Sequence, residues 1–377
     1  MIRIAFFAPL LNTGGTQRHL QQVLALLDPD RFAAHVYTLR GGGEIEGELR
    51  AAGVPVTALG VHRRLTTPQA GLAVIRAARA LQAAGVDIVH GYQWRPALVG
   101  ALAGRMAKVP LLLASKRSLT GNDLVARFAW RVIGRRVDTI VANAEALQAE
   151  AEAQGTAARW QILRNGVDVE HFRTRVAAAD AKAALGLDPS RPVVGTVGRL
   201  EERKGHEHLL VASRAMLARA NGLRPQILLV GDGPLHARLV RVATQLGIDR
   251  SVRLTGGLPD VRGALAAMDV FVLPSRAEGM SNALLEAMAA GRPIVATAVG
   301  GTAEILERDR TGVLVAADDV DGLAVAVLSL LGDTSRAERL GASAQRAVGE
   351  RFGAQAMIHR LEQLYVERLT VRQGRGA

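Results

Sequence analysis

Two carboxylates eight residues apart, Glu278 and Glu286, stand in the string Glu278-Gly279-Met280-Ser281-Asn282-Ala283-Leu284-Leu285-Glu286. The apolar run Val270 to Leu273 before it reads as a strand ending at Pro274, and Ser281 or Asn282 can cap the helix that follows. One carboxylate then lies in the loop and the other on the second helical turn, with the backbone amides of Met280, Ser281 and Asn282 between them. Carboxylates accept paired hydrogen bonds from vicinal hydroxyls, and a helix start favours an anion. Such a string can hold two hydroxylated rings on either side of a phosphate. The bland alternative is a loop charge followed by an exposed helix glutamate.

A second segment, Gly198-Arg199-Leu200-Glu201-Glu202-Arg203-Lys204-Gly205, follows the strand-like run Val193 to Val197. A guanidinium at Arg199 and an ammonium at Lys204 suit the two phosphoryl groups of a nucleotide diphosphate. Fixed cations there would also stabilise the negative charge that grows on a departing diphosphate. Taken alone, the segment serves equally as a solvated basic loop paired with Glu201 and Glu202. Gly231 and Gly233 flank Asp232 in a sharp turn, Gly231-Asp232-Gly233-Pro234, that bares backbone groups for a base or ribose; a purely structural turn explains it as well. Near the amino terminus, Asn12-Thr13-Gly14-Gly15-Thr16-Gln17 separates a strand from a helix, and Gly14 and Gly15 allow an anion close to free amides. It is not the GxGxxG of dinucleotide binders, and an ordinary tight turn accounts for a glycine pair.

These segments need strands to carry them. Short β-branched or aliphatic runs alternate with Ala/Leu/Arg-rich helical stretches, the pattern of βα units around a parallel sheet. The first half offers strands at Ile2 to Ala8, Ala34 to Leu39, Val54 to Leu59, Asp87 to His90, Leu111 to Ala114, Thr139 to Ala142 and Gln161 to Leu163. Helices fall at Thr16 to Leu27, Pro68 to Ala84, Leu124 to Arg136 and Ala144 to Gln154. The rhythm pauses between Phe172 and Pro192 and then restarts, with strands at Val193 to Val197, Gln226 to Val230, Val252 to Thr255, Val270 to Leu273, Ile294 to Thr297 and Gly312 to Val315. The expectation is two doubly wound α/β domains, residues 1–172 and 173–353, with a last helix over 354–377 packing back on the first. Ligands of open α/β sheets sit beyond the carboxyl ends of the strands, which puts the site in a cleft between two facing sheets.

Composition bounds the function. A chain of 377 residues exceeds what one core usually supports, and 49% hydrophobic with 22% charged residues is ordinary globular usage. No cysteine is present, so disulfides and thiolate metal sites are excluded; with no run long enough to span a bilayer, a cytoplasmic location is expected. The net charge of +12 favours anionic partners without choosing among them. Only 3% of residues are aromatic and no recognition module is evident, which ranks nucleic-acid binding last. His171, His206, His208, His236 and His359 show no ligand spacing with carboxylates, and no metal is expected.

Taken together, Glu-x7-Glu, Gly-Arg-Leu-x3-Lys-Gly, Gly-Asp-Gly-Pro, the amino-terminal Gly-Gly loop and Asn165-Gly166-Val167-Asp168 resemble glycosyltransferase family 4, retaining enzymes of GT-B fold, in order and spacing along nearly the whole chain. The resemblance implies two Rossmann-like domains and metal-independent transfer of a hexose-type sugar from a nucleotide-diphosphate donor, with retention at the anomeric carbon. The acceptor would be a glycan or lipid-linked intermediate of the cell envelope. It further implies that Arg199 and Lys204 bind the diphosphate, Glu286 the ribose and Glu278 the donor sugar, with the amides of Gly15 and of Met280 to Asn282 completing the contacts. The rival in another enzyme class is a nucleotide-sugar epimerase, which can use the same fold and would act on donor alone.

One departure concerns the acceptor. Many members carry a His just after the fifth strand, where this chain has Leu113-Ala114-Ser115-Lys116-Arg117-Ser118. Lys116 and Arg117 could meet an acceptor phosphate there, or be a pair of surface cations. His90, ending the fourth strand, is another acceptor-side candidate, or simply a strand terminator. The helix Leu124 to Arg136, with Phe128, Trp130 and cations at 127, 131, 135 and 136, could rest on an anionic bilayer; the ordinary reading packs it on the sheet with its arginines outward.

Overall fold

The computed structural model describes residues 1–373 apart from 13, 62–64, 120–122, 174–175 and 220–221. It divides into two compact units, Met1–Asn165 with Gln355–Ala377, and Gly166–Ala354.

The first unit alternates strand and helix: β1 Ile2–Ala8, α1 Gly15–Leu26, β2 Phe32–Thr38, α2 Glu44–Ala51, β3 Val56–Ala58, α3 Pro68–Ala83, β4 Ile88–Tyr92, α4 Trp94–Met106, β5 Leu111–Lys116, α5 Leu124–Gly134, β6 Thr139–Ala142, α6 Glu145–Ala153 and β7 Trp160–Ile162. The sheet order is β3-β2-β1-β4-β5-β6-β7, every pair parallel. Both faces are covered, so strand residues alternate between two apolar layers. Ile4, Phe6, Ile88, Leu111 and Leu113 join one core; Ala5, Phe7, Val89, Leu112 and Ala114 join the other.

The second unit holds α7 Val169–Phe172, α8 Ala178–Ala184, β8 Val193–Val197, α9 His206–Arg219, β9 Gln226–Val230, α10 His236–Gln245, β10 Val252–Leu254, α11 Arg262–Ala267, β11 Val270–Leu273, α12 Asn282–Ala289, β12 Ile294–Thr297, α13 Thr302–Ile305, β13 Val313–Val315, α14 Val320–Gly332 and α15 Thr334–Arg351. Its parallel sheet runs β10-β9-β8-β11-β12-β13. The strand order reverses between β8 and β11 here and between β1 and β4 in the first unit. At such a switch point the two following loops splay apart and leave a crevice.

The last helix, α16 Ala354–Gln373, belongs to the first unit from Gln355 onward; residues 374–377 lie outside the described residues. Met357, Ile358, Leu361, Leu364, Tyr365 and Leu369 enter the core with β1 and β4. Polar bonds fix its register: Glu362 accepts from the Asp28 amide at 3.0 Å, and Arg372 pairs with Asp138. Inside, the His90 ring is clamped, its Nδ1 2.7 Å from the Tyr365 hydroxyl and its Nε2 2.8 Å from Ser115 Oγ.

One expectation changes. Trp130 is buried, 3% exposed, because α5 turns it toward the sheet, so it is not available to a bilayer; Phe128 on the other side is 65% exposed. Helix α10 begins at His236, so Pro234 lies in the turn before it.

Replacing Tyr365 by Phe would leave His90 Nδ1 buried without its partner, an expected loss of about 1–3 kcal/mol. A lower urea midpoint at unchanged m-value is the check.

Candidate active site

In the second unit the loops after β8 and β11 meet at the switch point, and each brings charge. Glu278 is only 3% exposed. Its Oε1 lies 2.5 Å from Lys204 Nζ and accepts from Ser275 Oγ at 2.7 Å, while Arg203 Nη1 lies 3.5 Å from Oε2. Such partners offset the cost of withdrawing a carboxylate from water. Arg203 also pairs with Glu201 at 2.6 Å, and Arg199 Nε stands 3.8 Å from the same glutamate with over half its side chain exposed. Lys204 and Glu278 are thus brought together as a pair, and Arg199 remains the solvent-facing cation.

Backbone contacts enforce this meeting. Gly205 sits at φ 65°, and a Cβ there would fall 2.0 Å from the Pro274 carbonyl oxygen. Gly300, in the loop after β12, sits at φ 48°, and its Cβ would fall 1.9 Å from the carbonyl oxygen of Glu278. Only glycine fits either place. Gly231 and Gly233 serve a similar contact: a Cβ on them would meet the carbonyl oxygens of Gly198 and Leu200 at 2.0 and 2.5 Å. The turn therefore lies flat against the Arg199 loop, joined by Gly198 N to Val230 O and Leu200 N to Asp232 O, both at 2.9 Å.

Helix α12 presents the rest. Ser281 caps it, accepting from the Leu284 amide at 3.4 Å. Leu284, Leu285, Ala287, Met288 and Ala289 are buried, as is Met280 before the cap. Asn282, Ala283 and Glu286, spaced i, i+1 and i+4, are left half-buried on the remaining stripe.

Ser275, Arg203, Gly300 and His206 were not singled out from the sequence. The pair Gly300-Gly301 after a strand is the same βα-turn signal as Gly14-Gly15. His206 opens α9 with its Nδ1 buried and unpartnered among the described residues. Burial, then the Lys204 charge, pushes its pKa down to about 4, against a smaller opposing pull from Glu278.

In the first unit Gly14 stands at the N-cap of α1 and Gly15 opens the helix; Thr13 lies outside the described residues. Across the switch point, Gln93 follows β4 with φ 68° and ψ 159°, a region essentially reserved for glycine. Its amide donates to Thr16 Oγ1 at 3.0 Å and accepts from Ser118 Oγ at 3.3 Å. Beside it a cavity of about 240 Å³ is lined by Leu10, Leu39, Trp94 and the guanidinium-bearing Arg40 and Arg95.

The acceptor-side candidates prove to be interior groups. His90 is 1% exposed with both ring nitrogens engaged; burial, then the charge of Arg117, pushes its pKa down to about 3. Lys116 is fully buried, 2.8 Å from Glu150 and 5.6 Å from the Trp130 ring centroid, so it is neither a surface cation nor open to an acceptor. Arg117 is 8% exposed, donates to Asn165 Oδ1 at 2.5 Å and lies 5.9 Å from the Tyr92 ring centroid. Among the described residues no group of three or more His, Asp or Glu is placed to hold a metal, and no helix is long and apolar enough to cross a membrane.

Known proteins resemble this chain in sequence and fold. The family model for Glycosyltransferase Family 4 matches residues 13–171, and that for Glycosyl transferases group 1 matches residues 191–333. The GDP-mannose-dependent alpha-(1-6)-phosphatidylinositol monomannoside mannosyltransferase of Mycobacterium tuberculosis is 31% identical over 358 residues, covering 89% of this chain and 90% of its own. D-inositol 3-phosphate glycosyltransferase 1 of Catenulispora acidiphila is 33% identical over 314 residues, covering 77% of this chain and 74% of its own. Among solved structures, Anabaena HepE in complex with UDP-glucose superposes with a TM-score of 0.86 at 23% identity, covering 97% of this chain and 100% of its own.

His206 yields a pH dependence. Its folded pKa lies below the unfolded value, so the folded state binds fewer protons and stability rises with pH through this window. The contribution is full above pH 6.5 and fades toward pH 4. Between pH 7 and 5 wild type should lose about 2 kcal/mol more than His206→Asn, read from urea midpoints at the two pH values.

Proposed function

This chain belongs to glycosyltransferase family 4 and has the two-domain GT-B fold, and on that footing we propose that it transfers a hexose from a nucleoside-diphosphate sugar to a lipid-linked or glycan acceptor of the cell envelope, with retention and without a metal. The observation that carries the reading is the Lys204–Glu278 pair at the mouth of α12. The second unit takes the donor: Arg199 and Lys204 hold its diphosphate, Glu286 the ribose hydroxyls and Glu278 the sugar hydroxyls. The amides of Met280, Ser281 and Asn282 complete the contacts.

The ion pair gives this binding a definite course. An arriving diphosphate competes with Glu278 for the Lys204 ammonium, and the freed carboxylate accepts hydroxyl donors from the sugar in exchange. When the bond from the anomeric carbon to the diphosphate oxygen breaks, negative charge grows on the leaving group and positive charge on the sugar. Arg199, Arg203 and Lys204 stabilise the first, doing with fixed cations what a divalent ion does elsewhere. The acceptor hydroxyl approaches on the same face, and a phosphate oxygen takes its proton.

The first unit takes the acceptor. Helix α5 supports a lipid-linked one: Leu124, Val125 and Phe128 are 71%, 65% and 65% exposed. Leu124, Phe128, Arg131 and Arg135 fall on one stripe at i, i+4, i+7 and i+11, all exposed. An apolar stripe continued by arginines matches the interface of an anionic bilayer.

A thermal-shift screen with GDP-mannose, UDP-glucose and ADP-glucose should identify the donor. With that donor, Lys204→Ala and Glu286→Ala should each lower kcat/KM at least about 100-fold with the fold intact; near-normal transfer by either would sink the assignment. Phe128→Ser should release the protein from sedimenting phosphatidylglycerol vesicles without changing its melting temperature, and equal sedimentation of both forms would remove the bilayer from the picture.

A further inference from the structure

We propose that Arg117 is the recognition group for an anionic acceptor: its guanidinium is buried beyond the end of β5 without a counter-ion among the described residues, so that a phosphate on the acceptor can supply one. The inference rests on the reading that the first unit takes the acceptor.

Arg117 and its neighbour Lys116 are both withdrawn from water, and they are treated differently. Lys116 has Glu150 against its ammonium. Arg117 has no carboxylate within ion-pair distance among the described residues; its partners are the neutral Asn165 amide oxygen and the face of Tyr92. The Asn165 oxygen is shared, since Asn143 Nδ2 also donates to it at 3.3 Å. Burial lowers the Arg117 pKa only to about 10, so the group keeps its charge at neutral pH.

The surroundings leave further valences open. His19 Nδ1 and Asn143 Oδ1 are buried with no partner among the described residues. Burial, then the Arg117 charge, holds His19 well below the usual imidazole range, so it stays neutral beside the cation. A buried charge facing only neutral groups is a standing cost to the fold, one that a bound anion removes. The planar fork of Arg117 suits two oxygens of one phosphate, and among the described residues one donor of that fork makes its hydrogen bond, to Asn165. Gln93, in its strained conformation, accepts from the hydroxyl of Ser118, the residue after Arg117.

The phosphate could belong to the acceptor or to the donor, and the test separates them. Wild type, Arg117→Met and Arg117→Lys are titrated with inorganic phosphate, with GDP or UDP saturating the cations of the second unit, and separately with the nucleoside diphosphate alone. Arg117→Met is expected to bind phosphate at least tenfold more weakly while binding the diphosphate within twofold of wild type; Arg117→Lys should retain part of the phosphate affinity. Without ligand, Arg117→Met should melt at or above the wild-type temperature, because an uncompensated charge has been replaced by apolar volume, and phosphate should raise the melting temperature of wild type but not of Arg117→Met. A variant that melts lower and binds phosphate unchanged would make Arg117 a structural cation and overturn the proposal. Equal loss of phosphate and diphosphate would overturn it too, by assigning the anion to the donor. A wild-type chain that binds phosphate through Arg117 yet binds no nucleotide sugar would instead count against the proposed donor reaction and leave this site standing.

Discussion

A glutamate 3% exposed in the loop after a parallel strand pays a desolvation cost that partners must offset, and the pairing of Glu278 with Lys204 is the interaction around which the loops of the second unit are arranged. Arg203 at 3.5 Å and the Ser275 hydroxyl at 2.7 Å share the task, so the carboxylate keeps partners when any one of them is lost. Lys204 and Glu278 are 74 positions apart in the chain. They meet because β8 and β11 are neighbours in the sheet although β9 and β10 intervene in sequence. The reversal of strand order at this pair of strands gives the loops room to hold the two charges above the sheet edge.

That room is bounded by backbone rather than by side chains. The Lys204 loop touches the end of β11 through Gly205, and the loop after β12 touches Glu278 through Gly300. Loops from β8, β11 and β12, consecutive in the sheet, are thereby locked around one carboxylate. Preorganisation of this kind makes fixed charges effective in a reaction, since the protein need not rearrange as the leaving group becomes negative. Ser275 contributes in the same way, holding Glu278 Oε1 from the chain just after β11.

Much of this could be read from the sequence, and the reasons for the rest are physical. Apolar runs between helical stretches located the strands closely, because strands buried on both faces are continuous apolar segments. The Glu278 to Glu286 spacing correctly placed one carboxylate in a loop and the other on α12. The Lys204–Glu278 contact was hidden because periodicity is local and the contact is set by sheet order. Residue parity was the other hidden variable. Adjacent residues of β5 point to opposite faces, so Ser115 and Arg117 join the layer of Tyr92 and Tyr365 while Lys116 joins that of Trp130. His90 shares the first layer, which turns a candidate at a strand end into a clamp on α16. In α5 the same issue arises at the helical period: Phe128 and Trp130 are two residues apart and face opposite ways.

The two units treat buried charge in opposite senses, and the difference follows from what each must release. In the second unit the buried anion is already compensated, so a ligand binds by exchange: it must offer phosphate to Lys204 and hydroxyls to Glu278 together, and a molecule offering only one leaves the other charge unpaired. On the proposed reading, this would make the site selective for a phosphate joined to a polyol. In the first unit Lys116 is compensated by Glu150, whereas Arg117 is not compensated by any described carboxylate. No internal anion has to be displaced from Arg117, so a bound phosphate there gains the full interaction instead of the difference between two. Exchange confers selectivity at the expense of affinity, and an open charge confers affinity at the expense of stability. On the proposed reading, the exchange at the ends of β8 and β11 would discriminate the donor by composition, and the open charge beyond β5 would hold the second substrate by charge.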